Sequence, residues 1–125
     1  MPVSPSVRRR CQDLLEPGER IAYLIPVSAV WLGTAASGVD CFVVVSDRRI
    51  AVLIGGLLRR DRPKEVNLQY PRTTRLGPVE RDSVPQFQLG GRVYEIEDEY
   101  VAQVNAADAE LDGAGAFPRD PFPDL

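Results

Sequence analysis

Two short apolar runs with a polar turn between them limit what this chain can fold into more than any other feature. Residues 41–45 (CFVVV) and 50–54 (IAVLI) are rich in Val and Ile, and residues 46–49 (SDRR) separate them. Each run is too short for an independent helix, and β-branched residues favour strands. The pattern predicts a tight β-hairpin buried on at least one face. Asp47 is predicted to close the turn by bonding its own backbone, and the paired arginines keep its tip in water.

Further short strands are predicted on both sides of this hairpin. Residues 20–32 are β-branched and aromatic, and Pro26 requires a bulge or an edge position because proline cannot donate a ladder hydrogen bond. Residues 33–40 (GTAASGVD) are predicted as a loop. Residues 64–70 alternate apolar and polar side chains, the period of a half-buried strand. Residues 73–79 are predicted as one more short strand.

A second hairpin is predicted near the end of the strand region. Residues 86–89 and 92–96 flank Gly90 and Gly91, which have the backbone freedom that a two-residue primed turn requires. The strands then extend over about residues 20–97, and many short strands at regular intervals are typical of a sandwich or barrel.

An amphipathic helix is predicted on each side of the strands. The first covers residues 5–16 and is capped by Ser4 or Ser6, and the second covers residues 98–111 with Asp98 as its N-cap. Their apolar faces consist of residues three or four positions apart: Val7, Cys11 and Leu14 in the first helix, and Tyr100, Val104, Ala107 and Leu111 in the second.

These elements predict one domain over residues 1–112 and a tail over residues 113–125, within a chain of 125 residues. The fold class is mainly β with two helices. A bent antiparallel sheet or barrel is capped by the C-terminal helix, because a helix with one apolar stripe must bury it and the open end of a barrel offers the place.

Three segments of the chain resemble bacterial pleckstrin-homology-like (PH-like) domains: LLEPGE at residues 14–19, VVSDRRIAVL at residues 44–53 and GRVYEIEDEY at residues 91–100. The resemblance runs from about Leu14 to Leu111. It implies the same bent sheet closed by a C-terminal helix, and it implies a non-catalytic binding scaffold in a bacterial protein.

The composition excludes several classes of function. The chain contains no histidine, which removes Ser-His-Asp and Cys-His catalysis and the commonest zinc ligand. Its net charge of −3 gives no reason to expect nucleic acid as a partner. The two cysteines are predicted to be small buried side chains in a reducing compartment. We expect no cofactor, no metal and no catalytic residue.

The sequence also predicts a cytoplasmic protein. Residues 1–20 lack the apolar run of a signal peptide, and no apolar stretch reaches the length of a spanning helix. The basic run at residues 8–10 is predicted to be a solvated, mixed surface, because Asp13, Glu16 and Glu19 follow it.

The resemblance places the loops at residues 31–40, 55–63 and 90–91 at one end of the barrel, where PH-like folds bind their ligands. The first of these loops has no Lys or Arg, which argues against multidentate phosphate recognition there. The candidate binding residues at this end are apolar or basic: Trp31, Leu32, Arg59, Arg60, Arg62 and Lys64.

Two functions are consistent with these residues. The first is binding of a protein partner through the sheet edge and the loops, for which Trp31 would be part of the core. The second is peripheral attachment to an anionic membrane, for which Trp31 would be exposed beside the arginines. A small enzyme or a ligand pocket without a recognisable signature is a third and weaker interpretation.

The tail repeats a Phe-Pro pair, as Phe117-Pro118 and Phe122-Pro123. Such pairs in an extended segment are suited to an aromatic-lined groove on a partner. The other interpretation is a proline-rich terminus that lies on its own domain or remains in solvent.

Overall fold

The computed structural model describes residues 3–30, 37–55 and 62–115. It confirms the predicted fold class: one six-stranded antiparallel sheet with a short N-terminal and a longer C-terminal helix. In chain order the elements are α1 (Pro5–Asp13), β1 (Ile21–Val30), β2 (Ser37–Ser46), β3 (Arg49–Gly55), β4 (Pro63–Pro71), β5 (Gln86–Leu89), β6 (Arg92–Glu95), a 3-10 turn (Asp98–Tyr100) and α2 (Val101–Gly115).

The strands are ordered β4-β3-β2-β1-β6-β5, so the first four form a meander and the second hairpin joins the far side of β1. The predicted hairpin is confirmed, with Val45 opposite Ile50 across its turn. The sheet curls until its two edges approach each other. The contact that shows this is between Tyr70 of β4 and Gly90 in the β5–β6 turn. A Cβ at Gly90 would come within 2.7 Å of the Tyr70 ring.

The glycine turn between β5 and β6 also follows the prediction. Gly90 and Gly91 have φ values of 60° and 78°, the left-handed region in which a side chain is strained. Glycine at position 90 therefore serves the turn and the closure of the sheet at once.

Side chains alternate across the sheet and form a separate core on each face. The inner core lies under α2 and includes Ile25, Val43 and Tyr94, and the outer core lies under α1 and includes Leu24 and Val44. The helix faces are as predicted, with Cys11 wholly buried in α1 and Val104 and Ala107 buried in α2.

The two cysteines are buried in different cores, Cys11 under α1 and Cys41 in the inner core. Burial raises the pKa of the Cys11 thiol to about 11 and that of Cys41 to about 12. Both thiols therefore stay protonated, and their burial confirms the prediction of small core side chains.

The helix ends differ from the prediction in detail. Ser4 caps α1, since its Oγ accepts a hydrogen bond from the Val7 N–H at 3.3 Å, but the helix ends at Asp13. The chain enters α2 through the 3-10 turn, so Asp98 lies inside the first turn, preceded by Glu97 as the cap residue. The prediction of Asp98 as N-cap was wrong.

Two predicted segments take another conformation. Ser37–Asp40 belong to β2 rather than to a loop, because pairing with β1 overrides their low strand propensity. Residues 73–79 are not a strand. The N–H groups of Leu76 and Gly77 each donate to the Asp108 carboxylate at 2.8 Å, so α2 supplies the acceptors that a neighbouring strand would have supplied.

Candidate functional site

Most of the predicted binding residues lie outside the described part of the chain. Arg62 and Lys64 are described and exposed on either side of Pro63, where β4 begins. The remaining predicted residues lie outside the described ranges: Trp31, Leu32, Arg59 and Arg60 at the loop end, and Phe117, Pro118, Phe122 and Pro123 in the tail. The membrane and tail hypotheses therefore stay predictions.

A buried carboxylate organises the end of the sheet where α1 leads into β1. Glu19 is 1% exposed. Arg49 binds it with two parallel hydrogen bonds, Nε to Oε2 at 3.0 Å and Nη2 to Oε1 at 3.1 Å. The Ser46 hydroxyl donates to Oε2, and the Glu16 N–H donates to Oε1 at 3.0 Å. Four donors thus satisfy one buried anion.

The acidity of Glu19 reflects these donors. Burial by itself would raise its pKa, but the hydrogen bonds from Arg49, Ser46 and the Glu16 N–H together with the Arg49 charge lower the pKa to about 2. The carboxylate is therefore ionised at neutral pH and held in place. It is a structural group that links the turn before β1 to the β2–β3 hairpin.

This cluster corrects two expectations about the hairpin turn. Asp47 does not close the turn through its own backbone, because its carboxylate accepts from the Arg20 N–H at 2.9 Å. Ser46 closes the turn instead, with its Oγ accepting from the Arg48 and Arg49 N–H groups at 3.1 and 3.0 Å. Arg49 does not keep the tip in water, since its guanidinium turns inward to Glu19.

Acidic residues on α2 also form contacts that hold the fold together. Glu110 pairs with Arg72 at 3.2 Å and accepts a hydrogen bond from Tyr23, and Asp112 pairs with Arg75. Together with Asp108 on the 76–77 backbone, these contacts fasten α2 to β1 and to the segment after β4. These carboxylates are structural.

A groove beside β1 could receive part of another molecule. β1 pairs with β2 from Ile21 to Val30 but with β6 only from Ser28 to Val30. Beyond that short overlap, the two strands separate and leave a groove of about 280 Å³. Pro26 lies where the strand has no β6 partner, which agrees with the predicted edge position.

The groove combines an apolar surface with acidic margins. Its lining comes from β1, β2, β6 and the segments next to β6: Pro26, Val27, Ser28, Asp40, Val84, Glu95, Ile96 and Glu97. Three of these residues are acidic and none is basic. Val84 is 48% exposed and is the one exposed large hydrophobic side chain among the residues that the structure describes.

Register explains why the acidic side chains converge. Ser28 is opposite Asp40 on one side and opposite Glu95 on the other, so the three side chains form a row across β2, β1 and β6. Neither Asp40 nor Glu95 forms an ion pair with a described cation. The sequence contained one signal for this gap in strand pairing: the first predicted strand (residues 20–32) is much longer than the last (residues 92–96).

The described residues hold no group of three His, Cys, Asp or Glu side chains placed to bind a metal ion. Within the same ranges, neither helix is long and apolar enough to cross a membrane. Comparison with protein-family models, with curated proteins and with solved structures finds no match to this chain. The resemblance to PH-like domains accordingly stays a prediction from the residues that carry it.

Proposed function

We propose that this protein is a non-catalytic interaction module that binds an extended segment of a protein partner in the groove beside β1. The observation that carries the proposal is the combination found there: an apolar floor at a gap in the sheet, an exposed Val84 at its margin and acidic side chains around it. The partner segment carries a small apolar residue flanked by Lys or Arg.

The size of the groove supports a peptide segment rather than a whole small molecule. Small-molecule sites of about 300–1,000 Å³ bury most of the surface of their ligand, whereas this groove of about 280 Å³ lies open along a strand. That space suits one or two side chains of a longer chain that continues over the surface.

The groove also sets the manner of recognition. Pro26 has no N–H, so a partner strand cannot extend a full hydrogen-bond ladder along this part of β1. Specificity must then come from side chains, with the apolar residue between Val27 and Val84 and the cations near Asp40 and Glu95. Charge complementarity of this kind speeds encounter and excludes acidic partners.

A pair of synthetic peptides tests the proposal on the full chain. One has a central valine flanked by arginines, and the other has the same valine flanked by glutamates. We expect the basic peptide to bind about tenfold more tightly and to shift the amide NMR signals of Ser28, Val84 and Glu95. Equal binding of the two peptides, or shifts at other residues, would contradict the proposal.

A matched variant separates the groove from general charge attraction. Glu95→Lys should weaken binding of the basic peptide at least about tenfold, a change of about 1.4 kcal/mol. Glu65→Lys makes the same charge change at an exposed residue of β4, outside the groove lining, and should leave binding nearly unchanged. Equal weakening by both variants would refute a specific site.

A further inference from the structure

Nine of the eleven described arginines fall into two groups by their partners. Five of them form ion pairs with carboxylates: Arg48 with Glu16, Arg49 with Glu19, Arg72 with Glu110, Arg75 with Asp112 and Arg81 with Asp98. A sixth, Arg10, donates from Nε to the Pro63 carbonyl at 2.7 Å and ties α1 to β4. These contacts are used to hold elements together.

Three other arginines lie together without such a partner. Arg8 and Arg9 from α1 and Arg20 from the entrance to β1 line one surface concavity of about 510 Å³. None of the three forms an ion pair with a described residue. The other lining residues are Pro5, Gln12 and Ile21, so the described lining contains no carboxylate.

The fold holds the backbone of these cations in place. Buried Cys11 fixes the rotation of α1, which leaves Arg8 and Arg9 exposed. Arg20 is held by a reciprocal pair of hydrogen bonds: its N–H donates to the Asp47 carboxylate at 2.9 Å, and its carbonyl accepts from the Asp47 N–H at 3.0 Å. The Gln12 side chain donates to the Glu19 carbonyl and joins the two segments.

The acidic residues that follow the basic run do not neutralise it. The sequence predicted a mixed surface because Asp13, Glu16 and Glu19 come next. In the structure Glu16 faces Arg48, and Glu19 is buried against Arg49. Asp13 is not part of the concavity lining. Folding therefore engages Glu16 and Glu19 with other arginines, so that neither carboxylate pairs with Arg8, Arg9 or Arg20.

We propose that this concavity binds a small phosphate ester that carries several negative charges. Guanidinium groups present a planar fork of donors that matches phosphate oxygens, and three arginines line this concavity. The first turn of α1 has no acidic residue, so the positive end of the helix adds to the same field. This site is independent of the groove beside β1, since the two have no described lining residue in common.

The number of cations favours a compact ligand over a polyanion. Nucleic-acid binding typically neutralises several phosphates along a chain, on the order of 6–10. A protein with a net charge of −3 and three arginines around one concavity would repel the rest of such a chain or an extended anionic membrane. A small phosphate ester concentrates its charge within the concavity.

Titration of the full chain with pyrophosphate, at constant ionic strength, tests the proposal. We expect saturable binding that shifts the arginine Nε NMR signals of Arg8, Arg9 and Arg20. The triple variant Arg8→Gln/Arg9→Gln/Arg20→Gln should bind at least about tenfold more weakly. The single variant Arg9→Gln should give a smaller loss in the same direction, and it keeps the test valid if the triple variant folds poorly.

A second triple variant controls for net charge. Arg48→Gln/Arg75→Gln/Arg81→Gln removes the same three charges from side chains that are 48%, 52% and 57% exposed and lie outside the concavity. We expect it to bind pyrophosphate nearly as tightly as the unmodified chain. An equal loss in both triple variants, or no saturable binding by the unmodified chain, would overturn the proposal.

Vesicles distinguish a soluble phosphate ester from a lipid surface. The protein is mixed with phosphatidylcholine vesicles that contain or lack phosphatidylserine, and the vesicles are sedimented. We expect the protein to stay in the supernatant in both cases. Sedimentation that depends on phosphatidylserine and on the three arginines, in a chain that does not bind pyrophosphate, would contradict a small soluble ligand and indicate a membrane.

Discussion

Glu19 and Arg20 are neighbours in the chain and belong to opposite kinds of charged region. Glu19 lies in a closed cluster with Arg49, Ser46 and the Glu16 N–H, where four donors satisfy one buried carboxylate. Arg20 lies with Arg8 and Arg9 in an open cluster. These three cations line one concavity and form no ion pair with a described carboxylate. The segment that leads into β1 sends the Glu19 side chain inward and leaves the Arg20 side chain in solvent.

The difference shows which charges serve the fold and which are available for a ligand. A buried charge is tolerated only when its partners are complete, so the closed cluster stabilises the junction of α1, β1 and the β2–β3 hairpin. Exposed like charges repel each other weakly and contribute little to folding. An anion bound in the open cluster would accept hydrogen bonds from arginines, as the Glu19 carboxylate does in the closed cluster.

Breaking the closed cluster should have the largest effect on stability. Glu19→Gln leaves Arg49 without its counter-charge and places an amide where the carboxylate accepted four hydrogen bonds. We expect a loss of about 3 kcal/mol in the free energy of unfolding, measured by urea denaturation. Glu16→Gln is the control, because the Glu16–Arg48 pair is exposed and should change stability by less than about 0.5 kcal/mol. Similar losses in both would contradict the distinction.

Acid should weaken the same cluster in the unmodified chain. The pKa of Glu19 is about 2 in the fold and about 4.3 in an unfolded chain. Because the folded-state pKa is the lower one, its contribution of about 3 kcal/mol is present above about pH 5 and is lost as the pH falls toward 2.

The difference in unfolding free energy between the unmodified chain and Glu19→Gln isolates this group, since other carboxylates cancel. That difference should shrink from about 3 kcal/mol at pH 7 to below about 1 kcal/mol near pH 2. Urea titrations at several pH values measure it. A difference that stays constant with pH would show that the loss comes from packing rather than from the charge.

Removing the open cluster should have the smallest effect on stability. Arg8→Gln/Arg9→Gln/Arg20→Gln should change the free energy of unfolding by less than about 0.5 kcal/mol per residue, because the three side chains are exposed and make no ion pair with described residues. Thermal denaturation checks it. A large loss would mean that these arginines hold the fold together and would remove the contrast with Glu19.

Elements with a strong local pattern were predicted well. The β2–β3 hairpin followed from two Val- and Ile-rich runs around a short polar turn, and the second hairpin from Gly90 and Gly91. The stripe containing Val104 and Ala107 gave the buried face of α2. In each case the information lies within a few residues, because strand period, helix period and turn conformation are local properties.

Features that depend on distant partners were not predicted. Arg49 looked like a solvated turn residue because its partner Glu19 is thirty positions away. Residues 73–79 looked like a strand because their acceptor, Asp108, belongs to a later helix. The groove beside β1 exists because β6 overlaps only three residues of a ten-residue strand.

By itself the sequence determined most of the strands, both helices and the faces that the helices bury. Periodicity and turn chemistry act over a few residues and need no knowledge of the rest of the chain. Only the tertiary structure decided which charges are neutralised and which remain exposed together. Pairing depends on distances across the fold. The β2–β3 hairpin meets the segment between α1 and β1, which buries Glu19 against Arg49 and leaves Arg8, Arg9 and Arg20 around one concavity.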